Sequence, residues 1–270
     1  LKYVFLVIIS FILLFPIYWM IIGGFQDIQG LMRMPPNWWP KHPTLENYRN
    51  LADYPLIRWS LNSLKVTVIA MILSLLVTFL SGYAFAFFRF RGSQILFLLF
   101  MLAIMIPRPM LTVPTFITAK KLGILGTPFA PVFPLIFSPV YIFVMRNFMR
   151  EIPKDYLESA RLDGAKEMKI LWKIVLPLCK PPIALSAFMV GFIALSDYLW
   201  QTIVLKRDEM KTLLVGVFQV TAGQVGIMNR INPIGLRLAA GTLIFIPMFV
   251  LFLVCQKYLI RGVATTGIKY

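Results

Sequence analysis

Six long apolar runs dominate this chain of 270 residues. They cover residues 3–24, 59–88, 94–116, 128–149, 183–205 and 236–259. A run of about 20 mostly apolar residues is long enough to cross a bilayer. None of the runs shows the period-2 alternation of a lipid-facing strand, so the pattern predicts helices rather than a barrel. In lipid every backbone amide must find its partner inside the segment, and a helix does that by itself. Composition agrees: apolar residues make up 59% of the chain and charged ones 14%, against roughly 45–50% and about 25% in soluble domains. The expected fold is an all-α integral membrane protein with six transmembrane helices, forming a single transmembrane domain over residues 1–270.

The formal net charge is +16, from 27 Lys and Arg against 11 Asp and Glu. A basic excess in a soluble domain points to nucleic acid. In a helical membrane protein it flanks the spans and meets headgroups and cytoplasmic partners, so no nucleic-acid partner is expected. The chain holds two cysteines, Cys179 and Cys255, and one histidine, His42. These support neither a disulfide framework nor a metal cluster. The first run follows Lys2 and lacks a small-residue cleavage pattern, which reads as a retained span rather than a signal peptide. Between the first two runs lies a Pro- and Trp-rich stretch whose Trp38 and Trp39 suit a membrane interface. Pro107, Pro109 and Pro114 are expected to break the third span, and Pro131, Pro134 and Pro139 to kink the fourth.

An even number of spans puts both termini on one side. The basic residues divide almost evenly between the two sides, and only their higher density favours cytoplasmic termini. Loop chemistry is more informative, above all in the charged segment 150–182. Pro153 is a helix-start signal, Asp155 suits an N-cap, and Glu158 stands three residues on, as in a capping box. Tyr156, Leu157, Ala160 and Ala165 supply an apolar side, with Arg161, Lys166 and Glu167 as polar neighbours. Gly164 then permits a turn, and a second short helix is expected over 166–175, before Leu176 and Pro177. The segment thus predicts a helix–glycine–helix hairpin on the membrane surface between the fourth and fifth spans.

Glu158-Ser159-Ala160, then Gly164, then Ile174-x-Leu176-Pro177 resembles the Glu-Ala-Ala signature of binding-protein-dependent ABC importer permeases. The spacing matches throughout, and the one departure is Ser159 in place of the first Ala. Further similarity lies in Asn62-Ser63, in Tyr83-Ala84-Phe85-Ala86 before Arg89-Phe90-Arg91, and in Ile106-Pro107. Asp197-Tyr198-Leu199-Trp200 resembles the family's Trp-Asn-Asp-Phe-Leu-Trp stretch, with Leu195-Ser196 replacing Trp-Asn. The ending, from Gln256 through Gly262 to Thr266, Gly267 and Lys269, is similar to the tail of the second maltose-type permease subunit.

This resemblance implies a carbohydrate-uptake permease of the bacterial inner membrane with cytoplasmic termini. It implies a homologous second permease, two cytoplasmic ATPase subunits and a periplasmic or lipid-anchored solute-binding protein. It further implies that the hairpin docks on the ATPase through Glu158, Ser159, Ala160, Asp163, Gly164, Leu176 and Pro177. On cap statistics alone, Glu158 and Gly164 would serve equally well as an N-terminal cap partner and a helix end. The chain carries no Gly-x-x-x-x-Gly-Lys-Ser/Thr loop, no catalytic site and no cofactor site of its own, so ATP and magnesium belong to the partner ATPase.

Polar groups inside spans are costly and therefore candidates for a solute path. Asp197, Tyr198, Trp200 and Gln201 form the sharpest group, because aromatic faces and hydrogen-bonding groups suit a sugar. Asn62 and Ser63, with Thr67, form a second. The competing reading for both is structural: intramembrane polar groups also hold helices together. Arg58, Arg108 and Arg237 lie near span ends, where snorkelling accounts for them. Rival functions are import of a polyol, sugar phosphate or acidic oligosaccharide, a secondary transporter, and a membrane enzyme. A secondary transporter should show inverted repeats with broken helices and has no use for the Glu-Ala-Ala hairpin.

Overall fold

The computed structural model describes residues 2–223 and 232–266, with side chains through residue 257. The tail positions Gly267 and Lys269 fall outside it. All regular structure among the described residues is helical. Among the described residues three helices are long and apolar enough to cross a membrane: Lys2–Gly24, Leu56–Phe87 and the portion Pro233–Lys257 of the helix Pro233–Thr266. Three further pairs of helices pass the same test jointly but bend at a short break, which gives up to six spans. At a rise of about 1.5 Å per residue, 23 residues reach about 34 Å, enough for a hydrocarbon core of about 30 Å.

Proline chemistry explains where the bent pairs break. Ser93–Ile104 and Arg108–Lys121 meet at 105°. Pro107 there is extended and starts a short 3-10 turn that also contains Pro109. Pro114, by contrast, does not break the chain. It lies in the first turn of Thr112–Lys121, where its missing N–H has no intrahelical partner to lose. Phe129–Leu135 and Pro139–Arg150 bend by 52°. The extended residue is Ser138, as expected for the position before a proline, and Pro131 sits inside the short helix Phe129–Val132. The third pair, Glu167–Leu178 and Lys180–Ser196, bends by 78° at Cys179, just ahead of Pro181 and Pro182. The fifth apolar run is therefore not one helix: Lys180–Ser196 ends and Asp197 begins a new one, Tyr198–Val204.

The chain forms two compact units. One comprises residues 1–63 and 207–249. Its core is built by Leu51, Trp59, Leu213, Val217, Leu236, Ala239 and Ala240. Gly216 lies so close to Trp59 that a Cβ there would sit 2.4 Å from the indole. The Lys2–Gly24 helix ends under a polar clamp: Asn47 Nδ2 donates to the carbonyls of Gly24 and Gln26, each at 3.0 Å. Carbonyls left over at a helix end need such partners, and Asn47 is buried to supply them. Most of the N-terminal helix is bare apolar surface, including Phe5, Phe11 and Leu13. Trp38 packs against Phe15 and Trp19 in an aromatic group, while Trp39 is exposed.

The other unit comprises residues 64–206 and 250–270. It has two cores. Val66, Ala70, Val132, Leu135, Val190 and Ala194 form one. The second gathers Phe79, Tyr83, Met145 and Met149 with Leu157, Ile170, Leu171 and Val175 of the charged segment. The hairpin is therefore not loosely laid on a surface; Leu157 and Ile170 anchor its two arms in a shared core.

A surface hairpin strutted to a long span

The first arm of the hairpin is the helix Lys154–Leu162. Pro153, not Asp155, occupies its N-cap, and no side chain caps it. Asp155 lies in the first turn, where a negative charge favours the positive end of the helix dipole. The capping box expected between Asp155 and Glu158 is thus not formed, and Glu158 is exposed. This leaves its carboxylate available to a partner.

The turn has a definite chemistry. Gly164 adopts φ +76°, a left-handed conformation in which a side chain is strained. Its N–H donates to the carbonyl of Arg161 at 3.0 Å, and that of Ala165 to Ala160 at 2.9 Å. This bond pair is a Schellman motif, and Ala160 and Ala165, its usual apolar pair, both pack on the core. No atom comes within 4 Å of a Cβ built on Gly164, so backbone conformation alone requires glycine there.

The second arm starts at Glu167 and runs as Glu167–Ile170, a π-helical turn Leu171–Val175, and Leu176–Leu178. Pro177 explains the wide turn, since a proline ring crowds the carbonyl four residues back in a regular helix. Here the Leu176 N–H reaches Leu171, five residues back. The Leu-Pro of the signature thus has a visible local consequence.

Glu167 ties the hairpin together. Its Oε1 pairs with Arg161 Nε at 2.7 Å across the turn, and its Oε2 accepts from the Tyr83 hydroxyl at 2.7 Å. Arg161 and then Tyr83 hold the Glu167 carboxyl below the usual carboxylate range. Tyr83 belongs to the helix Leu56–Phe87, so a long span and both hairpin arms share one polar junction. Sequence reasoning placed Arg161 and Glu167 only as polar neighbours and did not join Tyr83 to them. The available signal was a tyrosine near the end of an apolar run. The outer face carries Ser159, Asp163 and Leu162, the last 89% exposed.

Of the proposed path residues, Asp197 is the N-cap of Tyr198–Val204, and its Oδ1 accepts from the Trp200 N–H at 3.1 Å. Trp200 Nε1 donates to the carbonyl of Ala130 at 2.9 Å, and Gln201 Nε2 to that of Ala194 at 2.6 Å. Asp197 and Trp200 line a cavity of about 440 Å³ together with Arg108 and Thr112; Tyr198 and Gln201 do not. Asn62 and Ser63 belong to the other unit. Asn62 Nδ2 donates to the carbonyls of Glu209 at 2.8 Å and Lys211 at 3.0 Å, and Ser63 Oγ accepts from the Leu213 N–H at 2.9 Å. They therefore pin the 208–213 turn to the start of a span. Among the described residues no group of His, Cys, Asp and Glu is arranged to hold a metal.

Several apolar helices with an anchored hairpin between two of them describe a multi-pass membrane protein. Residues 76–265 match the family described as binding-protein-dependent transport system inner membrane component. The chain is 31% identical over 269 residues to the arabinooligosaccharides transport system permease protein AraQ of Halalkalibacterium halodurans, covering 97% of this chain and 93% of AraQ. It is 32% identical over 276 residues to the galactooligosaccharides transport system permease protein GanQ of Bacillus subtilis, covering 99% and 94%. A bacterial ABC transporter involved in the import of the acidic polysaccharide alginate has the same fold, with a TM-score of 0.82 at 23% identity over 95% of this chain and 94% of that one. The chain belongs to the binding-protein-dependent inner membrane component family and is a multi-pass, non-catalytic permease subunit of an ABC importer.

Proposed function

We propose that this permease moves an oligosaccharide inward, paired with a second, homologous permease and driven by two cytoplasmic ATPase subunits that grip its hairpin. In this reading six spans cross the membrane and both termini are cytoplasmic. A solute-binding protein delivers the sugar from the opposite side. The observation that carries the coupling role is the hairpin itself. It is stiffened at Gly164 by backbone bonds, anchored by Leu157 and Ile170, and strutted to a long span through Glu167. A stiff element with an exposed charge transmits a rigid-body motion, where a flexible loop would absorb it. Glu158 pairs with a basic group of the ATPase, and Ser159, Asp163 and Leu162 complete the contact face. Leu176 and Pro177 set the exit of the second arm.

The names of the two relatives, for arabino- and galacto-oligosaccharide transport, support a sugar cargo. Asp197 and Trp200 are the residues of this chain we place on its path, since they line a cavity of sugar-compatible size. Tyr198 and Gln201 support them from the same short helix. Asn62 and Ser63 are path candidates only as polar groups near the start of a span, where they fix the 208–213 turn.

The test is co-purification of the ATPase with this chain in detergent, comparing wild type with Glu158→Lys and Gly164→Pro. Loss of ATPase from both variants, with the membrane subunit still folded, supports docking through the hairpin. Normal ATPase retention and turnover in both would refute it.

A further inference from the structure

A second cavity, of about 900 Å³, opens beside the hairpin, where the helix Leu56–Phe87 ends and Ser93–Ile104 begins. Arg89, Arg146, Arg150 and Lys154 line it, with Arg161 and Glu158. Glu167 neutralises Arg161. No ion pair among the described residues involves the other four cations, which therefore share the cavity with one carboxylate, Glu158. Arg146 is held in place: its Nε donates to the carbonyl of Phe85 at 3.3 Å, and its guanidinium lies 3.9 Å over the ring of Phe97. Residues 92–95, the start of the 12-residue helix Ser93–Ile104, form another part of the wall. Gly92 provides no side-chain cap there, so the positive end of the helix dipole adds to the same field. A built cavity in which cations outnumber carboxylates calls for an anion.

The surroundings decide which kind. The helix that rises from this positive end has no buried residue, and Ile95, Leu98, Leu99 and Leu102 are each more than half exposed. Phe88 and Phe90 are exposed and extend the apolar track to the cavity wall. A soluble acidic protein segment would satisfy the cations but not the bare aliphatic track above them. An amphiphile satisfies both. We propose that this cavity binds the headgroup of an anionic phospholipid, a phosphate diester, with its acyl chains along Ser93–Ile104. The proposal rests on the cytoplasmic placement of the hairpin argued above, which puts the site in the inner leaflet. Basic pockets between spans on that side hold such headgroups.

The test uses the assembled importer in nanodiscs of phosphatidylglycerol and phosphatidylcholine in equal parts, followed by extraction and native mass spectrometry of retained lipid. Wild type is expected to keep phosphatidylglycerol in preference to phosphatidylcholine. Arg89→Gln/Arg150→Gln/Lys154→Gln is expected to lower that retention more than tenfold, since each basic residue near the surface contributes separately. Raising salt to about 1 M, where the screening length falls to about 3 Å, should release the lipid from wild type without any variant. Equal retention of the two lipids by wild type overturns the proposal, as does retention that resists both salt and the triple substitution. A triple variant that keeps its phosphatidylglycerol but loses the ATPase also overturns it, and assigns the cations to the protein interface. The ATPase co-purifying with wild type is read in the same sample. Its absence counts against the hairpin's docking role and leaves the lipid result standing by itself.

Discussion

The hydroxyl of Tyr83 donates a 2.7 Å hydrogen bond to Oε2 of Glu167, 84 residues further along the chain. Glu167 in turn pairs with Arg161 on the first arm of the hairpin. That arm is therefore joined to the span by two short, charge-assisted contacts as well as by the apolar packing of Leu157. Such bonds are shorter and stronger than neutral ones.

Tyr83→Phe removes one hydroxyl and leaves the buried ring in place. A hydrogen bond to a charged group contributes roughly 1.5–3 kcal/mol, and the partial exposure of Glu167 argues for the lower end. The expected result is an assembled importer with near-normal ATPase content but several-fold less solute moved per ATP. Reconstituted vesicles that report uptake and phosphate release together would measure it. Unchanged coupling would show that apolar packing alone transmits the motion.

Glu167 also predicts a pH dependence. Its carboxyl titrates below its ordinary value in the folded protein, because Arg161 and Tyr83 favour the charged form. The stabilisation is therefore complete above the unfolded carboxylate pKa and is lost as pH falls through the lower folded value. Wild type should melt above Glu167→Gln at pH 7, and the gap should close as the pH falls from the ordinary carboxylate value, about 4.3, through the lower folded one. A gap that persists in acid would mean that the carboxylate charge is not what stabilises the turn.

Two glycines should fail for different reasons. Gly164→Ala meets no atom and pays only for a left-handed backbone, about 1–2 kcal/mol. Gly164→Asn should recover part of that, since asparagine tolerates this conformation better. Gly216→Ala drives a methyl group into the Trp59 indole, an overpacking that costs about 1–3 kcal/mol, and asparagine there should be worse than alanine. Thermal unfolding in detergent of the four variants gives the two opposite orders.

Asp197 separates capping from solute contact. Asp197→Asn keeps an oxygen to accept from the Trp200 N–H and should leave stability within about 0.5 kcal/mol, whereas Asp197→Ala loses the cap and about 1 kcal/mol. A place on the solute path predicts that Asp197→Asn still raises the KM for uptake several-fold. Uptake by Asp197→Asn that matches wild type would confine the residue to capping.

The sequence by itself determined the class of fold, and the hairpin's position in it, because both are written in local runs. Apolar length sets a span, Pro139 sets the extended conformation of Ser138, and Gly164 sets a left-handed turn, each through its own neighbours in the chain. The family resemblance was equally legible, being a matter of spacing. The capping box at Asp155 and Glu158 was a local expectation that failed, because Pro153 took the cap position two residues earlier. Only the tertiary structure decided that Tyr83 meets Glu167, that Asn62 serves the carbonyls of Glu209 and Lys211, and that five cations gather in one cavity. These contacts join residues brought together by packing, and no periodicity or propensity along the chain records which distant side chain a polar group will find.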